Sequence, residues 1–344
     1  MADGESAAFT YDGGRVDPGE RQELRYSISE SYLGDPIRIP VTIVNGDDPG
    51  PTAVLTAAAH GDELNGIEVV RTVATDWPHT NLQGTLICLP VLNVPGFLFQ
   101  ERYLPIYERD LNRAFPGSPE STSAKRMANE IFRNFIEPAD IGLDFHTSTR
   151  GRNNMLHTRA DMSDQTVDRL ARAFGTNVII DSLGPAGSLR REASEAGTPT
   201  VTVEMGEAHR FQRDLIDRAL DGVASVFSEF GLYQTEAVNW PGWRTVITKG
   251  EKTWIRAEAG GIVEMHAERG DLVTEGEAIC RISNPFGREE NVVEAPFDGL
   301  LVGALENPVV YPGNPLCHLV ELDERTQRAY VRAETGTMPT RPEA

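Results

Sequence analysis

The sequence predicts an α/β fold, a mixed, largely parallel sheet flanked by helices, followed by a small all-β domain of barrel-sandwich type. Three observations predict it. Between about residues 36 and 232, short apolar runs alternate with stretches of helical period. Near Trp240 the pattern changes to short strand-like runs punctuated by Gly and Pro. A chain of 344 residues also suits two domains, at roughly 150 residues each. The expected divisions are an N-terminal extension (1–35), an α/β domain (36–240), a C-terminal β domain (241–330) and a polar tail (331–344).

The strand-like runs of the α/β part are IRIPVTIV, TAVLTAAA, GTLICLPVLN, DIGLDFH, NVII and TVTVEMG. Helical periods fill 63–77, 123–136, 166–174 and 211–230 between them. In the last, Leu215, Ile216, Leu220, Val223 and Val226 recur at three- and four-residue spacing, which makes one buried face. Continuous apolar strands separated by helices read as a sheet covered on both faces, with functional loops at the carboxyl ends of its strands. From Thr253 onward, GGIVEMHAERGDLVTEGEAICRISNPFG, VVEAPFDGLLVGAL and PVVYPGNPLCHLVEL carry turn signals without helical periods, hence the all-β domain. The first 20 residues and the last dozen are polar and are expected to fray.

Composition narrows the classes. The chain is 40% hydrophobic and 24% charged, ordinary for a globular protein. Its longest apolar runs fall short of the roughly 20 residues that span a bilayer. The acidic start lacks the basic and apolar regions of a signal peptide, so the expected location is cytoplasmic. Net charge is -20, which makes nucleic acid and anionic membranes poor partners. Lysine occurs only at Lys125, Lys249 and Lys252. An acidic, lysine-poor surface fits a saline cytoplasm, and a GC-rich genome favours arginine over lysine equally well. Cys88, Cys280 and Cys317 form no CxxC pair, which argues against a disulfide framework and against a thiolate metal site.

The residues that carry chemistry lie at strand ends. His60-Gly61-Asp62-Glu63 follows TAVLTAAA and opens a helix; across a tight turn its His and Glu can converge on one point. Alone, the pair reads equally as a helix cap and a surface histidine. His146 ends another apolar strand in LDFH, and the three together form a His2Glu set, the ligand number of a catalytic zinc with one open position. In DLNRAFPG, Arg113 is a planar fork suited to a carboxylate and Asn112 can donate to the same group. Asp110 can accept the spare N–H of a ligand histidine, or pair with an arginine at a surface turn. Arg102 is a second cation, suited to polarising a carbonyl or steadying an oxyanion. Glu204 closes the apolar strand TVTVE, where a carboxylate suits proton transfer beside a metal.

HGDE (60–63), DLNRAFPG (110–117), LDFHT (143–147) and VEMG (203–206), in that order, resemble the succinylglutamate desuccinylase/aspartoacylase family, relatives of the zinc carboxypeptidases. The resemblance covers roughly residues 36–325. It implies a zinc carboxypeptidase-like fold, one zinc per chain on His60, Glu63 and His146, and Asn112 and Arg113 on a substrate carboxylate. It further implies Glu204 as the acid/base, Arg102 as the transition-state cation and Asp110 behind a ligand histidine. The family's β domain commonly narrows the site and can supply a tyrosine; Tyr311, in PVVYPGNP, is the candidate, although a Tyr before Pro-Gly is also a turn anchor. Biotinyl and lipoyl carriers share the barrel-sandwich shape but need a lysine at a hairpin tip, and none follows Lys252.

The expected activity is therefore zinc-dependent removal of an acyl group from an N-acylated amino acid or a related small amine. The partner is that small molecule, with homo-oligomerisation left open. A metallocarboxypeptidase on the same residues and a non-catalytic metal-binding protein are the alternatives.

Overall fold

The apolar runs form the centre of one large sheet in the computed structural model, which describes residues 6–77, 79–105, 108–233, 245–247, 250–288, 290–322 and 326–328. The chain opens with a hairpin, β1 (Phe9–Tyr11) and β2 (Gly14–Val16). Then come β3 (Arg21–Glu30), β4 (Pro36–Asn45), β5 (Asp48–Ala57), α1 (Asn65–Asp76), β6 (Gln83–Leu89) and α2 (Val94–Phe99). Next are α3 (Ser123–Ile131), β7 (Ile141–Ser148), β8 (Arg152–Ala160), α4 (Gln165–Phe174), β9 (Val178–Asp181), α5 (Leu189–Glu195), β10 (Thr200–Glu207) and α6 (Arg213–Phe230). The later strands are β11 (Thr245–Ile247), β12 (Lys252–Arg256), β13 (Gly261–Met265), β14 (Leu272–Val273) and β15 (Ala278–Ser283). They continue with β16 (Glu290–Glu294), β17 (Gly299–Leu305), β18 (Val309–Val310) and β19 (Pro315–Glu321).

The main sheet runs β12-β19-β17-β8-β10-β7-β5-β6-β4-β3. Its centre is parallel: β6 pairs with β5, β5 with β7 and β7 with β10. On both sides of that centre the main path turns antiparallel, through β4 and β3 at one end and β8, β17, β19 and β12 at the other. Helices cover both faces. α1, α4 and α6 pack Val69, Val73, Leu170, Phe174, Val223 and Phe227 into one core, while α3 and α5 bury Met127, Ile131, Leu189 and Ala193 in the other. Such a three-layer arrangement explains why β7 is buried along its whole length, as a strand covered on both faces must be. α4 shows how local sequence sets an element's limits: Asp164 accepts from the Thr166 and Val167 amides at its start, and Gly175 ends it in the left-handed region.

Two segments differ from the sequence expectation, and a third, the expected C-terminal β segment, gains detail. Of the first 20 residues, expected to fray, 9–16 form the β1–β2 hairpin, and the edge strand β3 follows, because Phe9, Val16 and Ile28 are buried against the second core. β8 has no apolar alternation to announce it, yet it lies inside the sheet between β17 and β10. The C-terminal β segment is built from two sheets. β16-β15-β13-β18 stand alone, whereas β12, β17 and β19 extend the main sheet through the pairing of Gly303, Ala304 and Leu305 with Asn154, Asn153 and Arg152. The expected boundary at 240/241 and the tail 331–344 lie outside the described residues. All three cysteines are free and buried, and among the described residues no helix is long and apolar enough to cross a membrane.

Candidate metal centre and active site

The carboxyl ends of β5, β7 and β10 bring the chemistry-bearing residues to one pocket. After β5 the chain turns sharply: Ala58 adopts a left-handed conformation with φ of 49°, uncommon for a residue with a Cβ. The Leu92 and Asn93 amides hold the turn by donating to the Ala57 and Ala58 carbonyls. Gly61 follows, and a Cβ there would lie 2.0 Å from the Gly96 carbonyl carbon of α2, so only glycine fits. The turn places His60 and Glu63 three residues apart on one point, while His146 reaches it from β7.

The ligand-type atoms of His60, Glu63 and His146 all lie within 4.8 Å of one another, and all three residues are buried. Both imidazoles point Nδ1 inward: His60 Nδ1 lies 2.8 Å from Glu63 Oε1 and His146 Nδ1 lies 2.9 Å from Glu63 Oε2. Their outer nitrogens meet carboxylates. His60 Nε2 is 3.1 Å from Asp110 Oδ1, and His146 Nε2 is 2.9 Å from Asp144 Oδ2. Asp144 is itself fixed by Thr56, whose hydroxyl donates to Oδ1 at 2.7 Å. Donation of Nε2–H to the carboxylates leaves each Nδ1 lone pair facing inward, the tautomer a metal ligand requires. Burial disfavours ionised Glu63, but His60 and His146 outweigh it and hold its carboxyl well below the usual range. Burial likewise opposes a charged His146, yet Asp144 and Glu63 raise its pKa well above the ordinary value, so a metal taken up at Nδ1 would displace a proton to reach that lone pair.

The donor set fits a divalent metal on an observation of its own. His60 Nδ1 is buried and, despite its proximity to Glu63, has no aligned hydrogen bond. A buried imidazole nitrogen left without a hydrogen bond, beside a second imidazole and a carboxylate, suits a cation between them.

The pocket around this trio measures about 310 Å³. Arg102 and Asn112 line it from the loops after β6. The Arg102 carbonyl accepts from the Gly61 amide and from Asn93, and its Nη1 donates to Glu63 Oε1 at 2.7 Å. Asp110 caps the short turn Leu111–Arg113 by accepting from the Asn112 amide at 2.9 Å. Burial raises the Asp110 carboxyl, but the hydrogen bond from His60, with the charges of His60, Arg102 and Arg113, lowers it to about 2. Asn112 Oδ1 accepts from the Leu189 amide at 2.8 Å, which points Nδ2 toward His146 at 3.3 Å. With His146 Nε2–H already given to Asp144, the Asn112 amide hydrogens remain for a ligand. Arg113 also lines the pocket and anchors one nitrogen on the Asn112 carbonyl at 2.6 Å.

Glu204 faces the trio from β10, with Asn154 donating to its Oε2 at 3.0 Å and Arg159 Nε 3.3 Å from its Oε1. Tyr311 is not brought to this pocket: it is 80% exposed beyond β18, and its amide donates to Asn314 in a turn. Asn154, Arg159, Arg190 and Trp254 are among the lining residues that the sequence did not single out. Trp254 reaches in from β12, stacked on His318 at 4.8 Å and covered by the Arg152 guanidinium. Asp144 escaped it too, although it sits two residues before His146, on the same face of a strand.

Comparison with known proteins gives the family and the fold. The succinylglutamate desuccinylase/aspartoacylase catalytic domain matches residues 49–230, more than half of the chain. The N-alpha-acetyl-L-2,4-diaminobutyric acid deacetylase of Halomonas elongata is 25% identical over 312 residues, 88% of this chain and 91% of that protein. A succinylglutamate desuccinylase of Yersinia pestis is 24% identical over 251 residues, 67% and 73% of the two chains. The product-bound structure of the ectoine utilization protein EutE (DoeB) from Ruegeria pomeroyi shares the fold. It has a TM-score of 0.78 at 24% identity, over 87% of this chain and 94% of that one. With that domain spanning β5 to α6 and its deacylase relatives aligning beyond it, the chain belongs to the succinylglutamate desuccinylase/aspartoacylase family.

Proposed function

We propose that this deacylase-family chain is a zinc-dependent amidohydrolase that removes the acyl group from an N-acylated amino acid. The observation that carries the reading is the convergence of His60, Glu63 and His146 beside a carboxylate, Glu204, that is not part of the trio. His60, Glu63 and His146 would hold one zinc. A zinc bound there supplies Lewis-acid chemistry, activating water and polarising the acyl carbonyl.

The remaining work belongs to the chain's own side chains. Arg113 and the free Asn112 amide hydrogens orient the substrate by its carboxylate, a planar, charge-assisted contact. Glu204 takes a proton from the attacking water and delivers it to the leaving amine nitrogen. Arg102, half-buried and paired with Glu63, stabilises negative charge as it develops on the carbonyl oxygen. Asp110 and Asp144 keep the two imidazoles in one tautomer. Trp254 closes one side of the pocket, which favours a small acylated molecule over a polypeptide chain.

A hydrolysis screen of N-acetyl and N-succinyl amino acids, with the protein loaded with zinc and then stripped by a chelator, tests the reading. It expects amine release that disappears on chelation and returns with zinc. Release that persists unchanged without metal, or no release from any acyl amino acid or peptide, would overturn it.

A further inference from the structure

Phe97, Leu98 and Phe99 are three consecutive exposed apolar residues at the end of α2, Leu98 at 73% and Phe99 at 69%. They form one wall of a groove of about 570 Å³, whose other wall is the β3–β4 ribbon with Pro36 and Pro40. Contiguous exposed apolar surface on a folded chain marks a contact site. The groove is also basic. Arg25 stands opposite Pro40 and Ser27 opposite Arg38, so the two arginines share a face as diagonal neighbours. No carboxylate among the described residues lines this groove, in a chain with 52 acidic residues and a net charge of -20. Its charge and its walls both suit an occupant that is apolar and acidic.

The chain presents such a group beside the groove. The hairpin between β3 and β4 carries Tyr32 and Leu33 at its tip, 81% and 88% exposed, between the exposed carboxylates of Glu30 and Asp35. The tip is ordered by its own hydrogen bonds. The Ser31 amide donates to the Asp35 carbonyl at 2.7 Å, and Ser31 Oγ accepts from the Leu33 and Asp35 amides at 3.2 Å each. A preorganised tip loses little freedom on docking. The paired strands carry it past its own groove, so the groove it can fill is that of another copy. A twofold axis would place each tip in the other chain's groove, using the same patch on both, as an isologous contact requires. Two chains of charge -20 repel at a distance, and a contact between them needs local neutralisation of this kind.

We propose that a second copy of this chain docks on this face. Tyr32 and Leu33 of each copy seat against Phe97, Leu98 and Phe99 of the other, with Glu30 and Asp35 on Arg25 and Arg38. The inference stands independently of the hydrolase reading. It covers the outer side of α2, whose backbone at Gly96 packs against Gly61 of the metal-site turn.

Sedimentation velocity of the full chain tests it, from about 0.1 to 100 µM, a range that brackets contacts of moderate affinity. A monomer–dimer equilibrium should appear within that range. Two variants reverse the charges, Arg25→Glu with Arg38→Glu in one and Glu30→Arg with Asp35→Arg in the other. Each alone should dimerise at least about tenfold more weakly, because like charges then meet across the axis. An equimolar mixture should recover the dimer, since each reversed element meets a partner of opposite sign. That recovery cannot come from a misfolded variant. Leu33→Asp should weaken the wild-type dimer as well. A wild type that stays monomeric throughout would overturn the proposal, as would a dimer that both charge-reversed variants retain. A mixture that stays monomeric would overturn the pairing of tip with groove.

Discussion

Glu204 on β10 stands directly opposite His146 on β7 in the parallel ladder. Adjacent strands lie roughly 4.8 Å apart, and paired residues share a face, so this register alone brings the carboxylate alongside the trio. A slip of one residue would turn Glu204 to the other face of the sheet. The ladder loses its regular register just after this pair, between Glu204 and Glu207, where the chain leaves the sheet toward α6.

The buried chain from Thr56 through Asp144 to His146 gives a first prediction. Asp144→Asn keeps the size of the side chain but replaces the anionic acceptor facing His146 Nε2. Outer partners of ligand histidines are typically worth about 10- to 100-fold in metal affinity, and a loss of that order is expected here with the fold retained. Competition with a zinc-binding dye measures it. Affinity equal to that of the wild type would show that Asp144 does not support a ligand.

Arg113→Lys should raise KM for an acyl amino acid with a smaller effect on kcat, because lysine keeps the charge but loses the two-pronged geometry. Steady-state kinetics on the best substrate decide this. Unchanged KM would make Arg113 a structural residue of the DLNR turn, held by its bond to the Asn112 carbonyl.

Those two residues illustrate what the sequence made legible. His60, Glu63, His146 and Glu204 stand out because each interrupts or ends an apolar run, and the sheet topology then carries them to one place. Asp144 was within reach by the same two-residue period that aligns it with His146. β8 was not. Its sequence RNNMLHTRA looks like loop because Asn153, Asn154, His157 and Thr158 are polar, yet all four are buried. Asn153 donates to Glu306 and Asn154 to Glu204, contacts separated by 153 and 50 residues that no local pattern encodes. Arg159 stayed hidden with that strand. Tyr311 lies apart from the residues that line the pocket, and its amide takes part in a local turn by donating to Asn314.

His318 predicts a pH dependence of stability. Burial, aided by Arg159 and Lys252, depresses its pKa to about 3. In the unfolded chain the ordinary value is about 6.5, so between those limits the unfolded state binds a proton the folded state refuses. Stability from this group is therefore complete above about pH 6.5 and is lost as pH falls, at up to roughly 1.4 kcal/mol per pH unit. His318→Phe retains a ring to stack on Trp254 and removes the titration. Urea denaturation at about pH 7 and about pH 5 should show the wild type losing roughly 2 kcal/mol more than the variant across that interval. Equal losses would show that the folded protein accepts a proton at His318.

In the proposed mechanism Glu204 works beside the metal without holding it, and Glu204→Gln separates those two roles. The amide is nearly isosteric and can still meet the β8 side chains, so the fold should survive. Because Glu204 is outside the trio, bound zinc measured by elemental analysis should equal that of the wild type. Gln cannot accept the water proton, and general acid–base catalysis is typically worth about 10²–10⁴-fold, so kcat should fall by that order on the best acyl amino acid. A variant that holds its zinc and loses its turnover is the predicted result. A variant that keeps wild-type kcat, or one that loses its zinc, would contradict the account.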